Sequence, residues 1–569
     1  MNREIIGCLV QIIVVTGLSY PLGRHLSKVY KGEKNWLDIM APLERLIYKF
    51  SGINASEEMS WKHFLRVLLT CNLFWFVWGM CLLVIQGILP LNPDGNPGQT
   101  VHQAFNTSIS FLVNANLQHY SGESGLTYFT QLFVIMLFQF LAAATGMAAM
   151  AGLLKALASK NSGKIGNFWV YLVTSCTRVL LPLALVVGLI LIVEGVPMTF
   201  EGKKEVVTME GTTQLISQGP VAAIVAIKQL GTNGGGFFGA NAAHPLENPT
   251  YLSNMVNCMS ILLLPMSFVM ALGFYLKRKK LAYTIFAVML IALLTGIAVT
   301  TYAETQGNPF ISAMGIDQSG GAMEGKESRL GAVATALWGA VTTATSNGSV
   351  NGMHDSLMPL SGLVALLNMQ VNSWFGGVGV GFMNYYIFII IAVFISGLMV
   401  GRTPEFLGKK VEAKEMKIAI LLALLHPFVI LGITALASWM AVNNPALTSQ
   451  WLNNPSFHGF TEMLYEYTSS AANNGSGFEG LKDSNVFWDI SCGLVLVVSR
   501  FIPIVGQIAI AGILAQKRFV PESAGTLKTD TGTFALMTFT VILIIAALSF
   551  FPVLTLGPLV EHVTMFKGL

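Results

Sequence analysis

Four short polar segments recur in an otherwise apolar chain, and their residue types point to chemistry done by the backbone. Each follows a moderately apolar stretch predicted to be helical, and each is made of small, uncharged residues that tolerate unusual backbone angles. The four triplets are Asn114-Ala115-Asn116, Thr232-Asn233-Gly234, Ser346-Asn347-Gly348 and Asn473-Asn474-Gly475. Their middle residues lie 118, 114 and 127 positions apart along the chain.

Rings of inward-pointing carbonyl oxygens can replace the hydration shell of a monovalent cation. A divalent cation or an anion would instead call for rings of Asp/Glu or of Lys/Arg, and the triplets contain neither. Potassium is therefore the favoured ion. A single Asn-Gly or Gly-Gly-Gly segment is an everyday turn, so it is the fourfold recurrence that favours a selectivity filter.

Motifs for bond chemistry are incomplete in this sequence. The segment Gly320–Glu327 has the glycine and lysine spacing of a phosphate-binding loop, but Glu327 stands where that loop needs Ser or Thr. The segment Gly122–Gly125 (GESG) resembles an intramembrane serine protease motif, but no histidine partner is evident on a later span. The chain is predicted not to be an enzyme, and an intramembrane enzyme is the least favoured class of function.

The composition places these segments in a membrane protein. Of 569 residues only 11% are charged, whereas 53% are hydrophobic, and a soluble domain carries about 25% charged residues. With so few polar residues, lipid is the natural solvent for much of the surface. The formal net charge of +4 is modest and is not gathered into one patch, so nucleic acid is not an expected partner.

Apolar runs of about 20 residues predict ten membrane spans and an all-α fold. They cover 5–24, 64–90, 128–152, 168–195, 252–276, 281–302, 356–400, 416–441, 487–515 and 533–556. Alternate connections contain 23 of the 33 Lys and Arg residues. Because cytoplasmic loops are enriched in these cations, both termini and the four triplets are predicted to lie outside.

The seventh apolar run is about twice as long as one crossing needs. Its middle contains four glycines that a continuous helix would not favour, Gly376, Gly377, Gly379 and Gly381. We interpret it as a single crossing made of a broken helix. Irregular backbone at membrane depth persists only where it is buried in protein or lines a wet cavity, so the glycine segment is a candidate gate. The alternative is an ordinary short loop between a partial and a full span.

Two arginines fall inside predicted spans, where a cation costs at least about 2.5 to 3.5 kcal/mol and must face protein or water. Arg178 is interpreted as a structural partner of helix-end carbonyl groups. Arg500 could instead act on a departing cation, either as an electrostatic barrier or as a stepping point.

The spacing of the triplets also predicts an internal repeat, with one span, one dipping segment and another span in each unit. Four such units use eight spans and leave the first and the tenth as flanks. The predicted organisation is 1–60 (first flanking span and basic loop), 61–160, 161–280, 281–410 and 411–520 (repeats 1 to 4, the third with the broken helix) and 521–569 (last flanking span).

Over essentially its whole length the chain resembles the potassium-binding subunit of the bacterial Kdp potassium-transporting ATPase (the KdpA family). The resemblance is carried by GTNGGGFFGANAAHPLENPT (231–250), GKESRLG (325–331), GGVGVG (376–381), GRTPEFLGKK (401–410) and SSAANNGSGF (469–478). It implies four helix–pore-loop–helix units of potassium-channel type, with the triplets as filter and Gln118 beside the first. The family commonly has Asn-Thr-Asn in the first loop and Ser-Cys-Gly in the third, so Ala115 and Asn347 are departures that leave the backbone carbonyls unchanged.

The resemblance further implies a subunit that does not work alone. Such subunits take K⁺ from outside and pass it, along a route toward Arg500, to a P-type ATPase subunit (KdpB) that hydrolyses ATP. A single-span subunit (KdpC) and a small peptide (KdpF) complete the complex in the bacterial inner membrane. No organic cofactor is expected. The nearest alternative is a self-sufficient potassium channel or an ion-coupled transporter of the same superfamily, and an adjacent reading frame for a P-type ATPase would separate the two.

Overall fold

The computed structural model describes residues 2–399, 401, 403–520 and 528–567. Within these residues, ten helices are long and apolar enough to cross a membrane. They are Glu4–Lys31, Trp61–Ile88, Tyr128–Ala158, Phe168–Val193, Tyr251–Tyr275, Lys279–Ala313, Val380–Met399, Ala413–Asn443, Val486–Gln516 and Gly532–Lys567, called here spans 1 to 10. The predicted fold class is confirmed in its all-helical character and its ten spans.

Several spans contain local irregularities. Wide π-type turns occur at Gln131–Met136 in span 3, at Cys176–Leu180 in span 4 and at Thr555–Leu559 in span 10. Span 6 consists of Lys279–Gln306 followed by Pro309–Ala313, and the last part of span 10 is the short helix Val560–Lys567. The predicted end of the seventh run at residue 400, the cation Arg402 and the predicted start of the last unit at residue 521 lie outside the described residues.

Four shorter helices each lie in the connection between two successive long helices and end just before a polar triplet. Short helices 1 to 4 are Val101–Leu112, Val221–Leu230, Gly331–Ala344 and Phe457–Ala472. Each packs against both helices that flank it in sequence. Because the same span, short helix and span arrangement occurs four times, the structure contains the four predicted repeats.

The remaining elements lie in the connections. Helical turns and short helices occur at Trp36–Met40, Ala41–Phe50, Gly122–Gly125, Asn241–Ala243, His354–Ser356 and Pro445–Trp451. One antiparallel hairpin pairs Lys204–Val207 with Thr213–Ile216, with Lys204 opposite Ile216. A second pairs Glu405–Phe406 with Lys409–Lys410.

The spans differ in how much of their surface other helices cover. The most hydrophobic windows of spans 3 and 5 are 67% and 78% buried, whereas those of spans 1 and 10 are only 28% buried. Span 1 packs on span 5, and span 10 packs on the two helices of the seventh run. Span 2 is also 28% buried and span 8 only 22%, so spans 1 and 10 lie at the periphery of the bundle together with spans 2 and 8.

The seventh run contains two helices with an irregular segment between them. The helix Pro359–Val371 ends at Asn372, which is left-handed with φ +46°, and span 7 begins at Val380. Gly377 and Gly379 have φ +47° and +81°, values that L side chains rarely adopt. A Cβ on Gly381 would collide with the backbone of Gly376. The glycines therefore allow a tight break that other residues could not form.

Arg178 has a different role from the one its position in the sequence suggested. Its guanidinium lies 2.6 Å from carboxylate oxygens of both Glu44 and Asp38, which belong to the basic connection after span 1. The interpretation as a partner of helix-end carbonyls is therefore wrong, because the partners are two carboxylates. These charge-assisted contacts fix the connection between spans 1 and 2 against span 4.

Candidate functional site

The four triplets share one unusual backbone pattern. Their first residues are left-handed, with φ between +47° and +68°, and so are their third residues, with φ between +53° and +101°; the middle residues are outside this region. The left-handed residues are Asn114, Thr232, Ser346 and Asn473 in the first position and Asn116, Gly234, Gly348 and Gly475 in the third. Alternation between left-handed and ordinary backbone turns successive carbonyl groups toward the same side of a strand.

The triplets form a closed ring. A Cβ on Gly234 would collide with the carbonyl oxygen of Asn347, and one on Gly348 would collide with that of Asn474. In the same way a Cβ on Gly475 would collide with the carbonyl oxygen of Ala115. The ring closes where the Asn116 side-chain amide donates to the Gly234 carbonyl oxygen at 2.8 Å. Each glycine is thus required by the backbone of the next loop.

The middle residues tie neighbouring units together. The Asn347 amide donates to the Lys228 carbonyl oxygen in short helix 2 at 3.2 Å. At the equivalent position of unit 4, Asn474 donates to the Thr342 carbonyl oxygen in short helix 3 at 2.9 Å. Asn347, a departure from the family pattern, therefore makes the same kind of joint as Asn474.

Units 4 and 1 are joined by different contacts, because Ala115 has no side-chain amide. Here His119 lies 2.7 Å from a carboxylate oxygen of Asp489 and 3.2 Å from one of Glu466. Burial opposes a charge on His119, but Asp483, Asp489 and Glu466 together raise its pKa well above the ordinary value. A charged histidine and two buried carboxylates therefore join the first loop to unit 4.

In two of the units, a side chain of the short helix donates to the carbonyl group of the residue that follows the triplet. In unit 3 the Thr342 hydroxyl donates to the Ser349 carbonyl oxygen at 2.7 Å. In unit 2 the Lys228 ammonium donates to the equivalent Gly235 carbonyl oxygen at 2.9 Å. The short helices therefore hold these two carbonyl groups. In units 2 and 3, this leaves the carbonyls of the triplets to form the rings.

Lys228 and its partner Glu247 are the residues that sequence reasoning missed. Both side chains are fully buried, and they form an ion pair directly behind the second loop. The sequence carried one signal, since Lys228 is the only ionisable residue in the otherwise apolar short helix Val221–Leu230, and charges in such segments mark functional positions.

Gln118 lies between the loops that contain the first and second triplets. Its side-chain oxygen accepts a hydrogen bond from the Gly236 backbone N–H at 2.7 Å. A Cβ on Gly235 would collide with the same oxygen. Gln118 therefore joins the loop of unit 1 to that of unit 2 on the far side of the triplets.

The break of the seventh run lies directly against the start of the second and third triplets. The Val378 N–H donates to the Thr232 hydroxyl at 2.9 Å, and the Gly377 N–H donates to the Thr345 carbonyl oxygen at 2.6 Å. The Ser346 hydroxyl donates to the side-chain oxygen of Asn372 at 2.8 Å. The structure thus brings the break, through Asn372, Gly377 and Val378, into contact with the ring.

A cavity of about 100 Å³ connects the ring with Arg500. Its lining includes the first residues of three triplets, Asn114, Ser346 and Asn473, and reaches Arg500 at the other end. Arg500 is buried, and among the described residues no ion pair or hydrogen bond is recorded for its guanidinium. No described side chain neutralises the positive charge of Arg500, which therefore acts on the cavity.

Chemically, the site is a ring of backbone oxygens next to a mostly apolar cavity whose lining includes one cation, Arg500. The triplet side chains carry no charge. Such a ring suits a dehydrated monovalent cation that makes no covalent bond.

Comparison with known proteins identifies the family. The KdpA family, described as potassium-transporting ATPase A subunit, matches residues 9–563. A protein of Phocaeicola vulgatus named potassium-transporting ATPase potassium-binding subunit is 69% identical, over 99% of this chain and 100% of that protein. A Geobacillus kaustophilus protein of the same name is 46% identical, over 96% of this chain and 97% of that protein.

A solved structure supports the fold. The potassium transporter TrkH from Vibrio parahaemolyticus aligns with a TM-score of 0.51, over 89% of this chain and 98% of that one, at 13% sequence identity. At this identity the likeness concerns the fold alone. From the family match and the identities of the relatives, the chain belongs to the KdpA family.

Proposed function

We propose that this chain is the potassium-binding, channel-like subunit of an ATP-driven potassium importer. The observation that carries the proposal is the closed ring of four triplets with alternating backbone handedness. Its ligands are backbone oxygens, so the ion is a dehydrated monovalent cation, and the names of the relatives point to K⁺. K⁺ is the transported ion and not a resident cofactor.

The ion enters from the outside. The basic connections favour a cytoplasmic location for the loops on the opposite side from the triplets. This orientation puts both termini outside and makes the ring the first selective element that an incoming ion meets. The chain is a multi-pass membrane protein, and we assign it to the bacterial inner membrane.

Below the ring, the break of the seventh run acts as the gate. It contacts the second and third triplets through Gly377, Val378 and Asn372, so it lies across the direct path toward the cytoplasm. A pump built on a channel must block this path, because passive flow would dissipate the gradient. K⁺ therefore leaves sideways through the cavity, where the charge of Arg500 opposes a resident cation and favours its departure.

The hydrolysis of ATP takes place on another subunit. The relatives are named as potassium-binding subunits of an ATPase, so ATP hydrolysis belongs to a P-type ATPase partner, KdpB, with KdpC and KdpF completing the complex. The alternative, a channel or an ion-coupled transporter that works alone, predicts transport without such a partner.

Purification of the chain with its neighbouring gene products tests the proposal. We expect a P-type ATPase to copurify and its ATPase activity to rise with K⁺ but not with Na⁺. In proteoliposomes, uptake of K⁺ should then require ATP. If the chain by itself carries K⁺ across the bilayer at a rate that ATP and the copurified proteins do not change, the self-sufficient channel is the correct function.

The gate has its own test. Deleting 377–381 removes the glycines that cross the path below the ring, so the assembled complex should leak K⁺ without ATP. Gly401→Ala, at a positive-φ glycine with open space around it, is the matched control and should stay ATP-dependent. A deletion variant that assembles and shows no passive flux would exclude the break as the gate.

A further inference from the structure

A second cluster of charged groups lies where units 3 and 4 meet the last helix. Asp355 is in the turn His354–Ser356 that follows the third triplet. His458 and Glu462 are one turn apart on short helix 4, so their side chains share a face. Glu561 comes from the final helix Val560–Lys567. The cluster takes no part in the ring or the cavity.

Ligand atoms of three of these residues converge. One atom each of Asp355, His458 and Glu462 lies within 4.8 Å of the others. His458 Nε2 lies 2.9 Å from Asp355 Oδ1. A Cβ on Gly480 would collide with both carboxylates, so a glycine is needed where they approach the loop after the fourth triplet. Two chain segments thus bring an imidazole and two carboxylates close to one point.

The hydrogen bonds of the cluster leave one carboxylate incompletely satisfied. Glu462 is fully buried, and its Oε1 accepts a hydrogen bond from the Asn454 N–H at 3.3 Å. Its Oε2 is also buried and has no hydrogen-bond partner. A buried carboxylate oxygen without a partner is costly unless a cation or a proton meets it. This oxygen is the independent sign that the cluster takes a ligand.

The fourth residue orients the histidine. Glu561 Oε1 lies 2.8 Å from His458 Nδ1, so Nδ1 can donate to this carboxylate while Nε2 faces Asp355 and Glu462. A carboxylate on the distal nitrogen is the usual partner of a metal-bound histidine, because it fixes the ring and raises its basicity. Without a metal, the same contacts require an imidazolium shared by Asp355 and Glu561.

We propose that Asp355, His458 and Glu462 form a binding site for a divalent transition metal of the Zn²⁺ class, with Glu561 as the positioning residue of His458. One imidazole nitrogen and two carboxylates are a ligand set that zinc accepts in four-coordinate geometry, with water in the remaining position. Calcium prefers six to eight oxygen ligands, which this set does not offer. A bound metal would fasten the last helix to units 3 and 4.

Zinc binding by the purified full-length chain, stripped with a chelator, tests the proposal. We expect one Zn²⁺ per chain by metal analysis after dialysis, and a rise in unfolding temperature with added Zn²⁺ because the metal binds only the folded state. H458Q and E462Q should abolish stoichiometric binding, and E561Q should weaken it by about tenfold or more. Glu462→Gln keeps the size of the side chain, so it also serves if H458Q folds poorly.

The matched control is His63→Gln, at an exposed histidine that lies 3.5 Å from Glu57 and takes no part in the cluster. This variant should bind zinc like the unchanged chain. Failure of the unchanged chain to retain zinc, or full retention by a well-folded E462Q variant, would overturn the site in favour of a metal-free imidazolium bridge. Equal affinity for Ca²⁺ would overturn the metal class. None of these results depends on potassium transport.

Discussion

The loops of units 2 and 3 hold the equivalent backbone carbonyl group through different side chains. In both, the residue six positions before the ring glycine holds the carbonyl group that follows the triplet. Unit 3 uses the hydroxyl of Thr342, which also accepts the Gly348 N–H at 2.9 Å. Unit 2 uses the ammonium group of Lys228, neutralised by Glu247. The Trp338 indole N–H also donates to the Ser349 carbonyl oxygen, at 2.7 Å. Uncharged donors are therefore enough to hold the carbonyl in unit 3, so the charge in unit 2 needs another explanation.

The difference teaches that the fourfold site is electrostatically asymmetric. A buried ion pair contributes little net stability compared with apolar residues, but removing one partner leaves an uncompensated charge. Unit 2 therefore depends on two side chains from separate segments, whereas unit 3 depends on two residues of its own helix, Thr342 and Trp338. A K⁺ ion in the ring meets a buried ion pair behind the loop of unit 2 and uncharged donors behind the loop of unit 3.

The largest effect is expected from removing the lysine. Lys228→Met leaves Glu247 buried without its partner and should lower the free energy of unfolding by about 3 to 5 kcal/mol. Thr342→Val, the matched change in unit 3, leaves the Gly348 N–H and the Ser349 carbonyl with fewer partners and should cost about 1 to 3 kcal/mol. Chemical or thermal unfolding of the assembled complex measures both.

The double variant Lys228→Met/Glu247→Gln sharpens this result. If the loss comes from the orphaned carboxylate, removing its charge should restore much of the stability lost in Lys228→Met. Equal destabilisation by Lys228→Met and Thr342→Val would show that the two units are held equally and that the ion pair has no special weight.

The ring glycines should respond alike in the two units, because their surroundings are equivalent. Gly234→Ala and Gly348→Ala each force a left-handed backbone onto an L residue, at about 1 to 2 kcal/mol, and also press Cβ against the next loop's carbonyl. We expect the apparent K⁺ affinity to fall by about tenfold, since 1.4 kcal/mol corresponds to one such factor. Potassium activation of the ATPase measures it.

Gly315→Ala is the control for the strain alone. Gly315 has φ +77° but open space around it, so its substitution should cost stability and leave the K⁺ affinity unchanged. A normal affinity in Gly234→Ala, together with a reduced one in Gly348→Ala, would show that unit 2 does not take part in the ring.

The sequence predicts repeated backbone features well and long-range charge pairs poorly. The triplets and the glycines at 376–381 were visible because unusual backbone angles restrict residue type locally. Lys228 was not recognised, because its meaning depends on Glu247 and Gly235, which only the folded loop brings behind the ring. Arg178 was misinterpreted for the same reason, since Glu44 and Asp38 come from a distant connection.

The smallest effect is expected at the joint between the two compared units. Asn347→Cys installs the residue that the family commonly has in the third loop, and it removes the hydrogen bond to the Lys228 carbonyl oxygen. That oxygen keeps its bond from the Asn233 N–H at 2.9 Å, so nothing buried is orphaned in short helix 2. The Asn347 side-chain oxygen also accepts the Ser349 N–H at 2.8 Å, and a thiol is only a weak acceptor in its place. With both bonds affected, the loss should be about 1 to 2 kcal/mol.

The substitution at position 347 should change ion binding little, because the ring uses the carbonyl oxygen of this residue and not its side chain. Apparent K⁺ affinity and selectivity over Na⁺ should therefore stay near those of the unchanged chain. Asn474→Cys, which removes the equivalent bond to Thr342, is the matched control and should lose similar stability. If Asn347→Cys alters selectivity by about tenfold, or about 1.4 kcal/mol, while Asn474→Cys does not, the side chain at 347 shapes the ring itself, and units 2 and 3 are coupled through more than their shared backbone.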